Sequence, residues 1–378
     1  MESVNILQRN ILVLGNGFDL YHGLPTGYGD FLDFIKDWDI FYNEYKSYIS
    51  HNSSSVKQSY SELLDSFTYE RNITNFAKFH RLYDEENIES FNSLIKSNSW
   101  IEYLLESSYR NKGWIDFESE IENVILYFKQ VISYTNKGAK PPIYNDKMNI
   151  FAKYVEYVNL SQYSGHRVIG TYMNGNIVDA KSLLNNLKKE LNNLISCLNI
   201  YLLEFVNHIR VLKLSSDISK LKISKIISFN YTNTYEKIYN YDKDILEIHH
   251  IHGKIGNENN MVLGMKDDKI EENELDYVYF LKYFQRIQKK TGNSYKKWIN
   301  QSDNPANNFF IFGHSLDESD KDILKDIIKA NDTLQVTIFY RDQLEMEKFI
   351  INLMNIFTKD EMIKYTSDEL IVFKQLID

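Results

Sequence analysis

Glycine, asparagine and histidine residues stand at the ends of four β-rich runs of this sequence. The four groups are Gly15-Asn16-Gly17 after residues 11–14, Asn230 after 226–229, His252-Gly253 after 245–251, and Gly313-His314-Ser315 after 309–312. The carboxyl ends of parallel strands meet at one edge of a sheet, where such sheets bind their ligands. The pattern therefore predicts one site, built from loop residues at that edge.

The first group could hold the diphosphate of a nucleotide. Glycine has no Cβ, so the backbone of Gly15 and Gly17 could approach a ligand and turn its amide N–H groups toward phosphate oxygens. A tight turn after a buried strand is the alternative, because a lone Gly-x-Gly fits both. Leu20 stands where the Rossmann fingerprint needs a third Gly or Ala. The loop is therefore not predicted to be the standard dinucleotide fingerprint.

Two features next to this loop have two interpretations each. Asp19 binds a ribose hydroxyl or a bound water, or it accepts hydrogen bonds from nearby backbone amides. The glycine-rich residues 23–29, which include Thr26, form either a mobile flap over a ligand or a rigid linker.

Three histidines lie close together near the third run. On a strand, His250 and His252 would point to one face and His249 to the other, where it would simply be packed. A His-x-His pair can begin a metal site, with Asp19 or His314 as a third ligand. A metal-dependent nuclease or hydrolase is therefore one alternative function.

The order of the motifs resembles the AbiH abortive-infection family of bacterial antiphage proteins and, more loosely, the sirtuin-like fold. The matching motifs are Gly15-Asn16-Gly17-Phe18-Asp19-Leu20 with Gly23-Leu24-Pro25-Thr26, Trp114-Ile115-Asp116-Phe117-Glu118, Ser228-Phe229-Asn230-Tyr231-Thr232, Ile251-His252-Gly253, and Phe312-Gly313-His314-Ser315-Leu316. The resemblance implies a role in abortive infection. Its sirtuin-like part implies NAD as a substrate, and a phage-derived or host activator is a further expectation.

The sirtuin-like resemblance also implies roles for individual residues. Gly15 to Gly17 would hold the cofactor phosphates, with Asn16 in place of the usual Ala, Asn230 would face the nicotinamide ribose, and His252 would be the base. The reaction would be hydrolysis of the nicotinamide glycosidic bond, in which nicotinamide leaves as a neutral molecule and no strong general acid is needed. The remaining expected ligand contacts are Phe18, Asp19, Thr26, Gly313, His314 and Ser315, the last three against the adenosine half. A nucleotide-binding sensor without turnover is the second alternative function.

Acidic residues elsewhere have both structural and functional interpretations. Glu118 could reach back to a ribose hydroxyl, or it could be a capping or salt-bridge acid beside a buried Trp114. Asp317 and Asp320 are expected to be only the cap and first turn of the following helix, where acids complement the helix dipole.

The composition bounds the class of protein. Of 378 residues 43% are hydrophobic, which is typical of a globular chain. With Cys197 as its single cysteine, the chain can form no intramolecular disulfide. It also lacks the four cysteines that hold the structural zinc of sirtuin deacetylases, and we expect no metal. A net charge of −9 argues against a broad nucleic-acid interface. No apolar run approaches the roughly 18 residues of a membrane span, so we expect a cytoplasmic protein.

The expected fold class is α/β. A sirtuin-like, Rossmann-type, mostly parallel sheet flanked by helices would be formed by residues 1–30 and 215–345, with strand 334–340 near one edge. Residues 31–214 would be a large, mainly α-helical insertion, and residues 346–378 a C-terminal helical segment. Within the insertion, leucines at heptad spacing over 184–209 predict a helix that packs within the chain or across a homo-oligomer.

Overall fold

The computed structural model describes residues 8–51, 84–110, 115–137, 146–160, 165–169, 171–174, 177–211, 213–239, 247–271, 274–299 and 305–377. The strands are β1 (Gln8–Leu14), β2 (Glu156–Leu160), β3 (Gly165–Ile169), β4 (Met173–Asn174), β5 (Ile177–Val178), β6 (Lys225–Ser228), β7 (Glu247–His250), β8 (Ala306–Phe312), β9 (Thr333–Tyr340) and β10 (Ile371–Gln375). The α-helices are α1 (Asn16–Tyr21), α2 (Tyr28–Lys36), α3 (Trp38–His51), α4 (Glu85–Ile95), α5 (Ser99–Arg110), α6 (Phe117–Asn136), α7 (Ala180–Ile200), α8 (Ser216–Ser219), α9 (Thr234–Ile238), α10 (Lys282–Gln288), α11 (Lys321–Ile328), α12 (Gln343–Ile356) and α13 (Lys359–Ser367).

The chain divides into two compact units. The first comprises residues 1–26, 209–261 and 289–378, and the second comprises 27–208 and 262–288. Residues 262–288 therefore belong to the second unit, although the sequence pattern places them in the core.

A six-stranded, wholly parallel sheet forms the centre of the first unit. Its strand order is β10-β9-β8-β1-β6-β7. From β1 the chain goes to β6 and β7 on one side, and it then returns to β8, β9 and β10 on the other. The direction of winding therefore reverses at β1, and this is where open α/β sheets place their ligand crevice.

The apolar runs form strands because helices cover both faces of the sheet. Ile11 and Val13 of β1 belong to a core cluster that also holds residues of α11, α12 and α13. Leu12 and Leu14 belong to a second cluster with residues of α1, α8 and α9. Since both faces are buried, such strands are apolar at every position rather than at alternate ones.

The α/β prediction with a discontinuous parallel sheet is confirmed. β1 and β6 are neighbours in one sheet, and β9 joins that sheet beside its outermost strand. The predicted C-terminal helical segment contains α12 and α13, but it also contains a strand that was not predicted, β10, which forms the edge of the sheet. With only five residues and a polar end, Ile371–Gln375 resembles the close of a helical segment as much as a strand.

The second unit is mainly helical within its described residues. Leucines 184, 187, 191, 194 and 198 of α7 are all buried, and so are Tyr201 and Phe205 of the π-helical segment Tyr201–Phe205 that follows. The seam therefore packs within the chain. Two small antiparallel pairs, β2 with β3 and β4 with β5, also belong to this unit.

Among the described helices, none combines the length and the apolar character needed to span a membrane.

Candidate functional site

The carboxyl ends of four strands lie side by side in the first unit. Leu14 of β1 pairs in register with Ser228 of β6 and with Phe312 of β8, and Ser228 pairs with His250 of β7. The residues that follow these strands are therefore neighbours. The predicted groups at 15–17, 230, 252 and 313–315 are brought to one edge of the sheet.

The glycines at this edge fit two loops against each other. The amides of Gly15 and Gly17 donate to the carbonyl oxygens of Phe312 and Gly313 at 3.1 and 2.8 Å. A Cβ at Gly15 would lie 2.4 Å from the Cα of His314. Both of these N–H groups are thus engaged with the protein's own backbone. A diphosphate contact by this loop stays a prediction.

The residues around the glycine loop occupy different environments. The side chain of Asn16 is exposed, and its Oδ1 accepts a hydrogen bond of 2.6 Å from the half-buried Thr26. Phe18 is fully buried and packs edge-on against Phe312. Ser315 is exposed, and its carbonyl oxygen accepts a hydrogen bond from Asn352. Ligand contacts by these residues remain predictions.

Asp19 is buried on α1 and accepts a short chain of hydroxyl hydrogen bonds. Thr234 Oγ1 donates to Thr232 Oγ1 at 3.1 Å, and Thr232 Oγ1 donates to Asp19 Oδ2 at 2.6 Å. Burial raises the pKa of Asp19 to about 6, although these hydroxyls and Asn230 counteract the shift. Asp19 Oδ1 has no hydrogen-bond partner among the described residues. The carboxylate therefore keeps an acceptor available to a donor group.

Asn230 follows β6 and lines the same small pocket as Asp19, Thr232 and Thr234. Its backbone is held in place, because its N–H donates to Ser228 Oγ at 3.2 Å and its carbonyl oxygen lies 3.1 Å from His250 Nδ1. Its side-chain Oδ1 is buried and has no hydrogen-bond partner within the described part of the chain. A buried acceptor without a donor is costly, so a ligand hydroxyl, amide or water would be favoured there.

His252 and His314 both contact one carboxylate. His252 Nε2 lies 3.3 Å from Asp320 Oδ1, and His314 Nε2 lies 3.4 Å from Asp320 Oδ2. Both imidazole rings also pack against Phe229, with centroid distances of 5.6 and 4.1 Å. The two histidines predicted from separate loops thus belong to one buried cluster.

Asp317 and Asp320 lie where the sequence predicts, at the cap and in the first turn, but Asp320 also contacts two histidines, so its role is not only that of a first-turn acid. Asp317 accepts a hydrogen bond from Ser319 N and caps the turn Glu318–Asp320. Asp320 stands at the N-cap position of α11, but its side chain makes no cap hydrogen bond there. Local sequence rules favour capping for such an acid, and contacts with residues distant in the sequence override that preference.

His249 and His250, which precede His252 in the sequence, have different surroundings. His249 is buried against Tyr295 and Trp298, where Ser294 Oγ lies 2.7 Å from its Nδ1. Burial lowers the pKa of His249 to about 4, so it is neutral at pH 7. His250 contacts the carbonyl oxygen of Asn230, and its Nε2 lies 3.8 Å from Glu236. Within the described ranges, no group of three His, Cys, Asp or Glu side chains could hold a metal ion.

Glu118 lies in the second unit, near the start of α6. Its carboxylate forms an ion pair of 2.5 Å with Lys282, whose side chain is almost completely buried. Asp116 caps the helix by accepting from Glu118 N at 3.1 Å. Trp114 lies outside the described residues. The salt bridge agrees with the structural interpretation of Glu118, and a ribose contact stays a prediction.

Comparison with known proteins gives a match to a protein family. The family model described as "Bacteriophage abortive infection AbiH" matches residues 11–342, which include every strand end of the site. No curated protein and no solved structure matches the chain significantly. Because the family model covers most of the chain, this protein belongs to the AbiH family of bacteriophage abortive infection proteins.

Proposed function

We propose that this protein acts in abortive infection by binding NAD at the carboxyl edge of the sheet and hydrolysing its nicotinamide glycosidic bond. The observation that carries the proposal is the pair formed by Asn230 and His252. Both side chains are buried, and they follow the adjacent parallel strands β6 and β7. A buried acceptor and a buried base at the same edge of the sheet are the two groups that this reaction needs.

The chemistry requires little beyond orientation and a base. As the bond between ribose and nicotinamide breaks, positive charge develops on the ribose and nicotinamide leaves neutral. Asn230 Oδ1 accepts a hydrogen bond from the ribose hydroxyl or from the attacking water and so fixes the position of that group. His252 takes the proton that water loses when its oxygen bonds to the ribose carbon, and later releases it to solvent. Such base catalysis typically contributes 10²–10⁴-fold.

The sheet topology also supports a nucleotide ligand. The strand order reverses at β1, and the four strand ends around it carry the polar residues of the site. Nucleotides commonly bind at such a reversal. A sirtuin-like arrangement of this core is part of the proposal. Since the Gly15 and Gly17 amides already donate to Phe312 and Gly313, the diphosphate would depend on other donors of the crevice.

The test is incubation of the purified full-length protein with NAD, with and without phage lysate, while free nicotinamide is measured. We expect nicotinamide release in at least one of the two conditions, and none from His252→Ala protein with an unchanged thermal unfolding midpoint. NAD binding by calorimetry without release in either condition would contradict hydrolysis and favour a nucleotide sensor. Release lost on treatment with a chelator would favour a metal-dependent hydrolase.

A further inference from the structure

Asp320 is placed where a carboxylate can fix the hydrogen positions of two histidines at once. One carboxylate oxygen faces His252 Nε2 at 3.3 Å and the other faces His314 Nε2 at 3.4 Å. The three side chains are about nine-tenths buried or more, with exposed fractions of 7, 4 and 11% for His252, His314 and Asp320. Water therefore competes little for these contacts.

The hydrogen position of His314 follows from its other nitrogen. The backbone N–H of Leu316 donates to His314 Nδ1 at 2.9 Å, so this nitrogen carries a lone pair. A neutral imidazole then has its proton on Nε2, the atom that faces Asp320. His314 is thereby fixed as a donor to the carboxylate.

The hydrogen position of His252 follows from the carboxylate. A lone pair on Nε2 would face the oxygen of Asp320 and repel it, whereas an N–H group there is attracted. Neutral His252 therefore carries its proton on Nε2 and its lone pair on Nδ1. The Phe229 ring packs against both imidazoles and restricts their planes. The base of the proposed reaction would thus be Nδ1 of His252.

We infer that Asp320 is a positioning residue that holds His252 in the Nε2–H tautomer, and that His314 holds Asp320 in place. The inference deepens the proposed function and rests on it for any effect on turnover. It also gives His314 a role different from the adenosine contact predicted for it. Asp320 itself would not touch the substrate.

An asparagine substitution separates this role from simple packing. In D320N the side chain offers one oxygen and one NH2 group. His314 must still donate from Nε2, because its Nδ1 accepts a hydrogen bond from Leu316 N–H. The asparagine oxygen therefore faces His314 and accepts that hydrogen bond. The NH2 group then faces His252 Nε2 and requires a lone pair there. The His252 proton therefore moves to Nδ1, and Nδ1 no longer has the lone pair with which it would accept a proton.

The tautomers can be measured without any turnover. Histidine is labelled with 15N in the full-length protein, the signals are assigned with single His→Ala variants, and ring nitrogen shifts are recorded at a pH where imidazoles are neutral. We expect the Nε2–H form for both His252 and His314 in the unmodified protein, and the Nδ1–H form for His252 in D320N. His252 in the Nδ1–H form in the unmodified protein would overturn the inference.

The kinetic measurement uses the same variant with a matched control. In protein that releases nicotinamide, D320N should lower kcat by between about tenfold and hundredfold and leave KM within about threefold, since only the base is affected. D322N, the same charge change at an exposed position of α11, should change neither kcat nor the tautomers. An unchanged kcat in active D320N protein would overturn the inference. Absence of release from the unmodified protein would contradict the proposed function alone, because the tautomer result is independent of it.

Discussion

Gly313 packs directly against the backbone of Phe18, so that the loop after β8 and the start of α1 touch without any side chain between them. A Cβ at position 313 would lie 2.1 Å from Phe18 N, and the residue also has a φ of +68°. Non-glycine residues rarely adopt this region, and the contact leaves no space for a methyl group. The close approach of these two loops shapes the edge of the sheet where the site lies.

Gly313→Ala should therefore be strongly destabilising. We expect a loss of more than about 2 kcal/mol of unfolding free energy, from the positive φ and from overpacking together. Gly23→Ala is the matched control, because Gly23 has a similar φ of +79° and a Cβ added there would meet no atom of the described residues within 4 Å. Gly23→Ala should lower the unfolding free energy by about 1 kcal/mol, from the positive φ alone. Equal shifts of the thermal midpoint in both variants would show that the loop contact is loose.

Asp19 should make the stability of the protein depend on pH between about 4 and 6. Its pKa is 3.8 in the unfolded reference and about 6 in the folded protein. In this window the folded state binds a proton that the unfolded state does not, so the unfolding free energy falls as the pH rises and levels off above 6. The loss for this one buried group is on the order of 3 kcal/mol.

Asp19→Asn removes this titration while it keeps an oxygen for Thr232. The variant should therefore gain stability relative to the unmodified protein as the pH rises from 4 to 7. Urea unfolding at a series of pH values measures the difference between the two proteins. Parallel stability curves across this range would show that the carboxyl is solvated and titrates normally.

Glu118 should be important for the stability of the second unit. The side chain of Lys282 is only 3% exposed, so removal of the Glu118 carboxylate takes an ion-pair partner from a buried ammonium group. Glu118→Gln should cost about 3 kcal/mol. Glu122→Gln is the control on the same helix, since Glu122 pairs with the exposed Lys269 at 3.6 Å and should contribute less than about 1 kcal/mol.

The same variant tests the predicted ribose contact of Glu118. If the residue is structural, NAD affinity should be unchanged at a temperature where Glu118→Gln remains folded. A fall in affinity of tenfold or more in folded protein, measured by calorimetry, would instead favour the ribose contact.

The strands of the site could be predicted from the sequence because their signal is local. Runs such as 11–14 and 309–312 are apolar at every position, which is typical of strands buried on both faces. The grouping of the polar residues that follow these strands could also be predicted, because the carboxyl ends of parallel strands lie at one edge of the sheet. By contrast, Asp320 lies 68 positions after His252 in the numbering, and its local context favours a helix cap. Its position beside two histidines depends on how α11 packs against the sheet, and no local pattern contains that information.

At the glycine loop the sequence predicts the local structure but does not identify what the loop contacts. Its glycines predict that the backbone lies in close contact with another group, and the structure contains a close contact of this kind. The neighbour of Gly15 and Gly17 is the loop at Gly313 and His314. A glycine indicates that another group approaches the backbone closely. The residue type alone does not show whether that group is a ligand phosphate or another segment of the same chain.

The last prediction separates catalysis from binding in the cell. His252→Ala and Asn230→Ala should each abolish nicotinamide release while NAD affinity stays within about tenfold, roughly 1.4 kcal/mol, because each removes one group from a crevice that remains otherwise intact. Survival of infected cultures is then compared for the two variants and for Asp322→Asn, whose exposed side chain lies outside the cluster. We expect protection from the control and from the unmodified protein, and none from the two site variants. Full protection by His252→Ala would show that NAD cleavage is not how this protein acts against phage, even if the crevice binds a nucleotide.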